Sequence, residues 1–146
     1  MSLELRRLGP LPADFPALAE TARQEGYDFV SRVGARWDGA RYMDDALATV
    51  WGAFAGDALI AIGAQTHDEY DPSPLHRRIR HFFVHPDHRR GGVGRALAAK
   101  LIEDAHAVAP RLHLRATRAH SAAFWDSVGF ARLTKGENRT HVLVRA

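Results

Sequence analysis

The stretch Phe82-Phe83-Val84-His85-Pro86-Asp87-His88-Arg89-Arg90-Gly91-Gly92-Val93-Gly94-Arg95-Ala96-Leu97 decides how the rest of the chain is read. Phe82, Phe83 and Val84 are strand-like, residues 85–88 make a polar elbow, and three glycines follow within four positions. Leu97, Ala98, Leu101, Ile102 and Ala105 then recur at helical spacing, and Pro110 bars continuation. A glycine turn placed directly before a helix aims a row of backbone N–H groups at one spot. Such a spot binds phosphate, because the N–H groups and the helix dipole both favour an anion. A simple tight turn also uses glycine where φ is positive. Three glycines in four positions exceed that need and suit close approach of a ligand.

Two familiar phosphate loops fail here. A P-loop requires Lys-Ser/Thr after its last glycine, whereas Arg95-Ala96 follows. A dinucleotide fingerprint requires a third glycine where Leu97 stands, and a turn straight from the strand.

Outward from this centre, residues 77–84 read as the strand that enters the loop. Residues 48–54 and 58–65 read as a hairpin around Ala55-Gly56-Asp57, and residues 66–75 as a polar loop. Leu3 and Leu5 alternate in a first strand. Asp14 and Pro16 open a helix that Gly26 stops. A second helical pattern runs over residues 28–37. Past the central helix, Leu112 and Leu114 mark a strand and residues 121–128 a short helix ended by Gly129. Residues 131–134 and 141–145 close the chain as a hairpin around Lys135-Gly136-Glu137-Asn138. The expected order is β-α-α-β-β-β-α-β-α-β-β, a mixed α/β fold. Three consecutive central strands argue for a mixed, mostly antiparallel sheet flanked by helices.

The 146 residues suit one domain, 1–146, with one core. Cysteine is absent, which excludes disulfides, thiolate metal sites and a cysteine nucleophile. The net charge of +3 is nearly all arginine, with lysine only at Lys100 and Lys135. No basic cluster is interleaved with exposed aromatics, so no nucleic-acid partner is expected. No stretch approaches the roughly 20 apolar residues of a membrane span, and residues 1–7 lack the apolar core of a signal peptide. A cytoplasmic protein with no membrane partner is the expectation. His85 and His88 are three apart, but nothing marks the third and fourth ligands zinc would need.

Arg89, Gly92 and Gly94 spell Arg-x-x-Gly-x-Gly after a Val-x-Pro elbow. Downstream, Ser121-Ala122-Ala123-Phe124-Trp125-Asp126-Ser127-Val128-Gly129-Phe130 follows the pattern Ala-x-x-Phe-Tyr-x-x-x-Gly-Phe. On these two motifs, one helix and one strand apart, the chain resembles the GNAT superfamily of acyl-CoA-dependent N-acyltransferases, and the element order resembles it over almost the whole length. Glu25-Gly26-Tyr27-Asp28-Phe29, with Arg32 and Trp37, resembles one subgroup of that family, a match that carries no substrate with it.

The resemblance implies acetyl-CoA, or a related acyl-CoA, as donor and a primary amine of a small molecule or peptide as acceptor, by direct attack in a ternary complex. It implies that the backbone of Arg89, Arg90, Gly91, Gly92, Val93, Gly94 and Arg95 holds the pyrophosphate, with the arginines adding charge-assisted contacts. Phe82, Val84, Phe124 and Trp125 would line the pantetheine arm, with the Val84 N–H near the thioester oxygen, where it would stabilise an oxyanion. Two departures from the family stand out. Trp125 replaces the tyrosine that commonly protonates the leaving sulfur, and indole is no usable acid. Tyr70, Tyr42 or water must then serve, or the thiolate leaves unassisted. Arg78 and Arg80, expected by strict alternation on the face of Val84, stand where a base is common, and arginine is far too weak a base. The proton acceptor is then Glu69, His67, His120 or Glu25. Arg78 and Arg80, with Glu25 and Tyr27, would instead bind the acceptor and favour one bearing a carboxylate or phosphate. Dimers are common in the family. An acyl-CoA-binding regulatory module without turnover is the alternative.

Overall fold

In the computed structural model the chain is described at residues 2–43, 45–136 and 138–146. Met1 of the N-terminal stretch and Glu137 of the expected closing turn lie outside the described residues. The described elements run β1 (Leu3–Arg7), α1 (Phe15–Gln24), α2 (Ser31–Ala35), β2 (Trp37–Asp38), β3 (Arg41–Tyr42), β4 (Thr49–Ala55), β5 (Ala58–His67), β6 (His76–Val84), α3 (Val93–Val108), β7 (Arg111–Leu114), α4 (Ala119–Val128), β8 (Ala131–Arg132) and β9 (His141–Val144). Seven strands form one sheet in the order β1-β4-β5-β6-β7-β9-β8. Every pair in it is antiparallel except β6 with β7. The mixed, mostly antiparallel sheet flanked by helices is therefore as expected.

Each face of the sheet carries its own core. On one side α1 and α2 bury Phe15, Leu18, Val30 and Val33 against Val50, Ile62 and Phe83. On the other, Leu97 and Leu101 of α3 and Trp125 of α4 pack against Ala61, Ile79 and Leu112. Asp104 of α3 accepts hydrogen bonds from Thr49 Oγ1 (2.6 Å) and Trp51 Nε1 (2.8 Å), which fixes the helix over β4.

Three local expectations change. The second helix shortens to Ser31–Ala35, because Trp37 leaves the helix to pair with Tyr42 in a small hairpin around Gly39, whose φ is +63°. The loop expected from residue 66 starts later: Thr66 and His67 extend β5 and pair with Arg78 and Arg77. Asp14 precedes α1, but its carboxylate does not cap the helix; Oδ2 accepts from the Leu59 N–H at 2.9 Å and ties α1 to β5.

A fourth change bears on function. Along β5 and β6, Ile62 pairs with Phe83 but Ala64 pairs with Arg80, so one extra residue is accommodated in β6. His81 takes it up with φ +57°, in the left-handed region that few non-glycine residues enter. The extra residue shifts the phase of the strand. Ile79, Phe82 and Val84 face α3. Arg78 and Arg80 share the opposite face with their partners Thr66 and Ala64 and with Phe83. The expected placement of Arg78 and Arg80 beside Val84 is corrected accordingly.

Buried contacts hold the bulge. His81 Nδ1 donates to the Phe29 carbonyl at 2.6 Å, so the neutral ring accepts at Nε2, where the Tyr42 hydroxyl stands 3.3 Å away. Arg36 Nη1 donates to the same hydroxyl at 3.0 Å. Burial drives the His81 pKa from 6.5 down to about 3. The unfolded chain therefore binds a proton here that the folded chain refuses. Stability should be complete above pH 6.5 and fall as the pH drops toward about 3. Asp68, held below its ordinary 3.8, adds its own loss only at lower pH. His81→Asn, a residue that tolerates positive φ, should flatten stability against pH between 6.5 and 4.5 in urea unfolding series, above the range in which Glu4 and Glu20 begin to contribute. An unchanged slope would show that His81 is not the group responsible.

Candidate active site

β6 and β7 pair at only three positions, His76 with Arg111, Arg77 with Leu112 and Arg78 with His113. Beyond Arg78 the two strands separate, and β6 runs on to Val84 with β5 as its one neighbour in the sheet. The His85 N–H donates to the Ile60 carbonyl at 2.8 Å, which makes Ala61–Val84 a non-hydrogen-bonded antiparallel pair. The Val84 N–H and carbonyl therefore turn away from β5, into the gap. Arg89 Nε donates to that carbonyl at 3.0 Å.

At the end of β6 a short 3-10 turn (Pro86–His88) leads into the glycine loop. Gly92 is the N-terminal flanking residue of α3 with φ +83°, and no side chain caps the helix. The first bond of the helix runs from the Ala96 N–H to the Gly92 carbonyl, so the N–H groups of Val93, Gly94 and Arg95 lie before the intrahelical ladder begins. Nothing lies within 4 Å of where a Cβ would stand on Gly91 or Gly92. Gly94 differs: a Cβ there would meet the Phe124 ring at 3.2 Å. Two of the three glycines thus leave room beside the loop, and the third lets α4 approach α3. Arg90 is exposed with φ +69°. Arg95 reaches the end of α4, with Nη2 donating to Ser127 Oγ at 2.9 Å.

The α3 face of the gap is aromatic. Phe82 lies 4.8 Å from the Trp125 ring and 5.7 Å from Phe124. Trp125 is 5% exposed and also packs on Phe130, so it serves the core as well as the wall of the gap.

The turn between α1 and α2 reaches across from the other face. Glu25 takes both terminal nitrogens of Arg89. Tyr27 stands edge-on to Phe83 at 5.9 Å, and its hydroxyl lies 3.3 Å from His120 Nε2 at the start of α4. The Arg118 guanidinium stacks on the Tyr27 ring at 3.8 Å. Glu25, Tyr27 and His120, widely separated in sequence, are thereby brought together with Arg89.

Glu69, Tyr70, Arg78 and Arg80 form a separate group near the closed end of the gap. Arg80 Nη2 pairs with Glu69 Oε1 at 3.1 Å. Arg78 lies under the Tyr70 ring at 5.0 Å, with Nη1 3.7 Å from Asp68 Oδ1. Burial lowers the Arg78 pKa, and the Asp68 charge opposes that shift. Burial would raise the Asp68 carboxyl, but His113, the Tyr70 N–H and Arg78 outweigh it and hold the group ionised. Both arginines thus already face carboxylates of the chain, and an acceptor's carboxylate would have to compete with Glu69. Tyr70 is 55% exposed, and Tyr42 is buried with its hydroxyl engaged. Asp68, Arg118 and the bulge at His81 escaped the sequence reading, because each owes its place to a partner far along the chain. Among the described residues, no group of three or more His, Cys, Asp and Glu side chains could hold a metal ion, and no helix is long and apolar enough to cross a membrane.

A family model described as an acetyltransferase (GNAT) domain matches residues 18–144. Among solved structures, a provisionally assigned acetyltransferase from Exiguobacterium sp. 255-15 superposes with a TM-score of 0.83 at 24% identity, covering 99% of this chain and 94% of that one. The ribosomal-protein-S18-alanine N-acetyltransferase of Escherichia coli gives 0.66 at 18% identity, covering 97% and 90%. The N-acetylglutamate synthase of Neisseria gonorrhoeae, solved with coenzyme A and N-acetyl-glutamate, gives 0.71 at 17% identity; the match covers 99% of this chain and 35% of that longer one. Among curated proteins no sequence matches.

The different surroundings of the glycines are open to test. Gly94→Val should cost about 1–3 kcal/mol by overpacking against Phe124. Gly91→Val, in open space, should stay within about 0.5 kcal/mol. Urea unfolding distinguishes them, and equal costs would contradict the packing role of Gly94.

Proposed function

Because the chain belongs to the GNAT acetyltransferase family, and is therefore an acyl-CoA-dependent N-acyltransferase, we propose that it moves the acetyl group of acetyl-CoA to a primary amine of a small molecule or peptide within a ternary complex. The observation that carries this is the gap between β6 and β7, with the Val84 N–H turned into it and the uncapped start of α3 at its mouth. N–H groups from Gly91 to Arg95 hold the pyrophosphate and Arg90 adds charge, whereas Arg89 is committed to Glu25 and the Val84 carbonyl. The pantetheine arm lies in the gap against Phe82, Phe124 and Trp125 and pairs with the free edge of β6. The Val84 N–H then stabilises the oxyanion of the tetrahedral intermediate, a contribution of roughly 3–4 kcal/mol for a well-aimed donor.

The amine enters from the face of α1 and α2, past Glu25 and Tyr27. Two relatives support this range of acceptors by their names, one acting on an alanine of a ribosomal protein and one making N-acetylglutamate. His120 is exposed and stands 3.3 Å from the Tyr27 hydroxyl, whereas Glu69 is tied to Arg80. That contrast favours His120 as proton acceptor. Membership of an acetyltransferase family does not favour a binding module without turnover.

Titration calorimetry with coenzyme A, followed by thiol release from acetyl-CoA with a panel of amino acids, short peptides and spermidine, tests the proposal. Gly92→Leu places a side chain where the diphosphate would lie. It should weaken coenzyme A binding by more than about 100-fold, which is some 2.7 kcal/mol. Cooperative unfolding should persist, with about 1–2 kcal/mol lost to backbone strain at the left-handed position. Unchanged affinity in that variant, or no binding by folded wild-type protein, would count against the assigned loop.

A further inference from the structure

We infer that the Tyr27 hydroxyl is the acid that protonates the leaving thiolate, and that His120 both accepts the proton of the amine and restores the proton of Tyr27. This rests on the acyl-transfer reading above. Trp125 stands where the family pattern has a tyrosine and offers no usable proton. The chain has three tyrosines. Tyr42 is 3% exposed, and its hydroxyl is committed between Arg36 and His81. Tyr70 lies over Arg78, at the far end of β6 from Val84. Tyr27 alone of the three reaches the open end of the gap, edge-on to Phe83, the neighbour of Val84.

Its surroundings suit the task. The hydroxyl lies 3.3 Å from His120 Nε2, within reach of a proton exchange that shortens when substrate is bound. Arg118, 3.8 Å over the ring, fixes its orientation and offsets the charge left when the proton departs. Glu25, two residues earlier, is anchored on Arg89, so the turn that carries Tyr27 is held at both sides of the gap. His120 is exposed, and its other ring nitrogen is open to an incoming amine.

The step balances without a further reagent. The neutral amine nitrogen attacks the thioester carbonyl carbon and forms the C–N bond, and its proton goes to His120 Nδ1. The C–S bond then breaks with its electron pair on sulfur. Tyr27 gives its proton to sulfur, and the proton on His120 Nε2 crosses to the Tyr27 oxygen. One proton has moved from nitrogen to sulfur, the amide and the free thiol leave, and exchange with water returns the histidine to its starting tautomer.

Tyr27→Phe keeps the ring under Arg118 and removes only the hydroxyl; His120→Gln keeps a polar partner for it. General acid–base catalysis contributes about 10²–10⁴-fold. Each variant should therefore lower kcat by about 100-fold with the best amine of the panel, and KM for acetyl-CoA should change less than about threefold. The double variant should be little worse than the poorer single one, since both remove one relay. A general acid also predicts that kcat of the wild type falls at high pH and that Tyr27→Phe abolishes this fall, a change that a purely structural role would not cause. Coenzyme A affinity of each variant, read by calorimetry, separates the two levels of the argument. Wild-type protein that binds no coenzyme A overturns the acyl-transfer reading, and this one with it. Wild-type protein that binds it but releases no thiol with any amine overturns the relay. Normal turnover by Tyr27→Phe, or loss explained by KM or by unfolding, overturns the relay and leaves acyl transfer standing.

Discussion

The parting of two neighbouring strands in the middle of the sheet is the constraint on which the rest depends. β6 and β7 share three residue pairs and then diverge, so the outer part of β6 presents backbone N–H and C=O groups to a gap instead of to a neighbour. Such groups must be hydrogen-bonded wherever water is excluded. A sheet edge exposed in this position invites an extended ligand to act as the missing strand. Both cores hold the parting in place. Leu97 and Leu101 pin β5 and β6 from one face, and Phe83 anchors β6 to α1 and α2 from the other. The chain itself meets part of the demand, with Arg89 donating to the Val84 carbonyl.

The bulge at His81 is the second half of the same design. Without it, the residues before and after would alternate regularly, and the two charged side chains Arg78 and Arg80 would point at the cofactor side. One extra residue sends them to the opposite face, where Asp68 and Glu69 await them, and leaves Phe82 and Val84 facing α3. A histidine at positive φ is an expensive way to achieve this. The cost is offset by the hydrogen bonds to Phe29 and Tyr42, which fasten the α1–α2 region and the β2–β3 hairpin to the same point.

Much of this was legible in the sequence. The glycine run at 91, 92 and 94 and the aromatic pair at 124 and 125 identify both loop and wall, because they depend on neighbours within a few positions. Strand and helix order followed from periodicity for the same reason. The phase of β6 was not legible, since a bulge depends on the pairing partner, and regular alternation is the default reading of Arg78, Arg80 and Val84. Nor was the meeting of Tyr27 with His120, 93 positions apart. Glu69 and Tyr70 have the right chemistry for a proton transfer, but they sit with Arg80 and Arg78, and that placement is a matter of topology.

The tryptophans are distributed in a way that has a practical consequence. Trp37 belongs to the small β2–β3 hairpin, and Trp51 on β4 is bound to Asp104. Trp125 alone is buried among the rings that border the gap. Filling that space changes the polarity around one indole and leaves the other two as they were. The molecule therefore carries an intrinsic fluorophore whose emission reports occupancy directly, with no label attached.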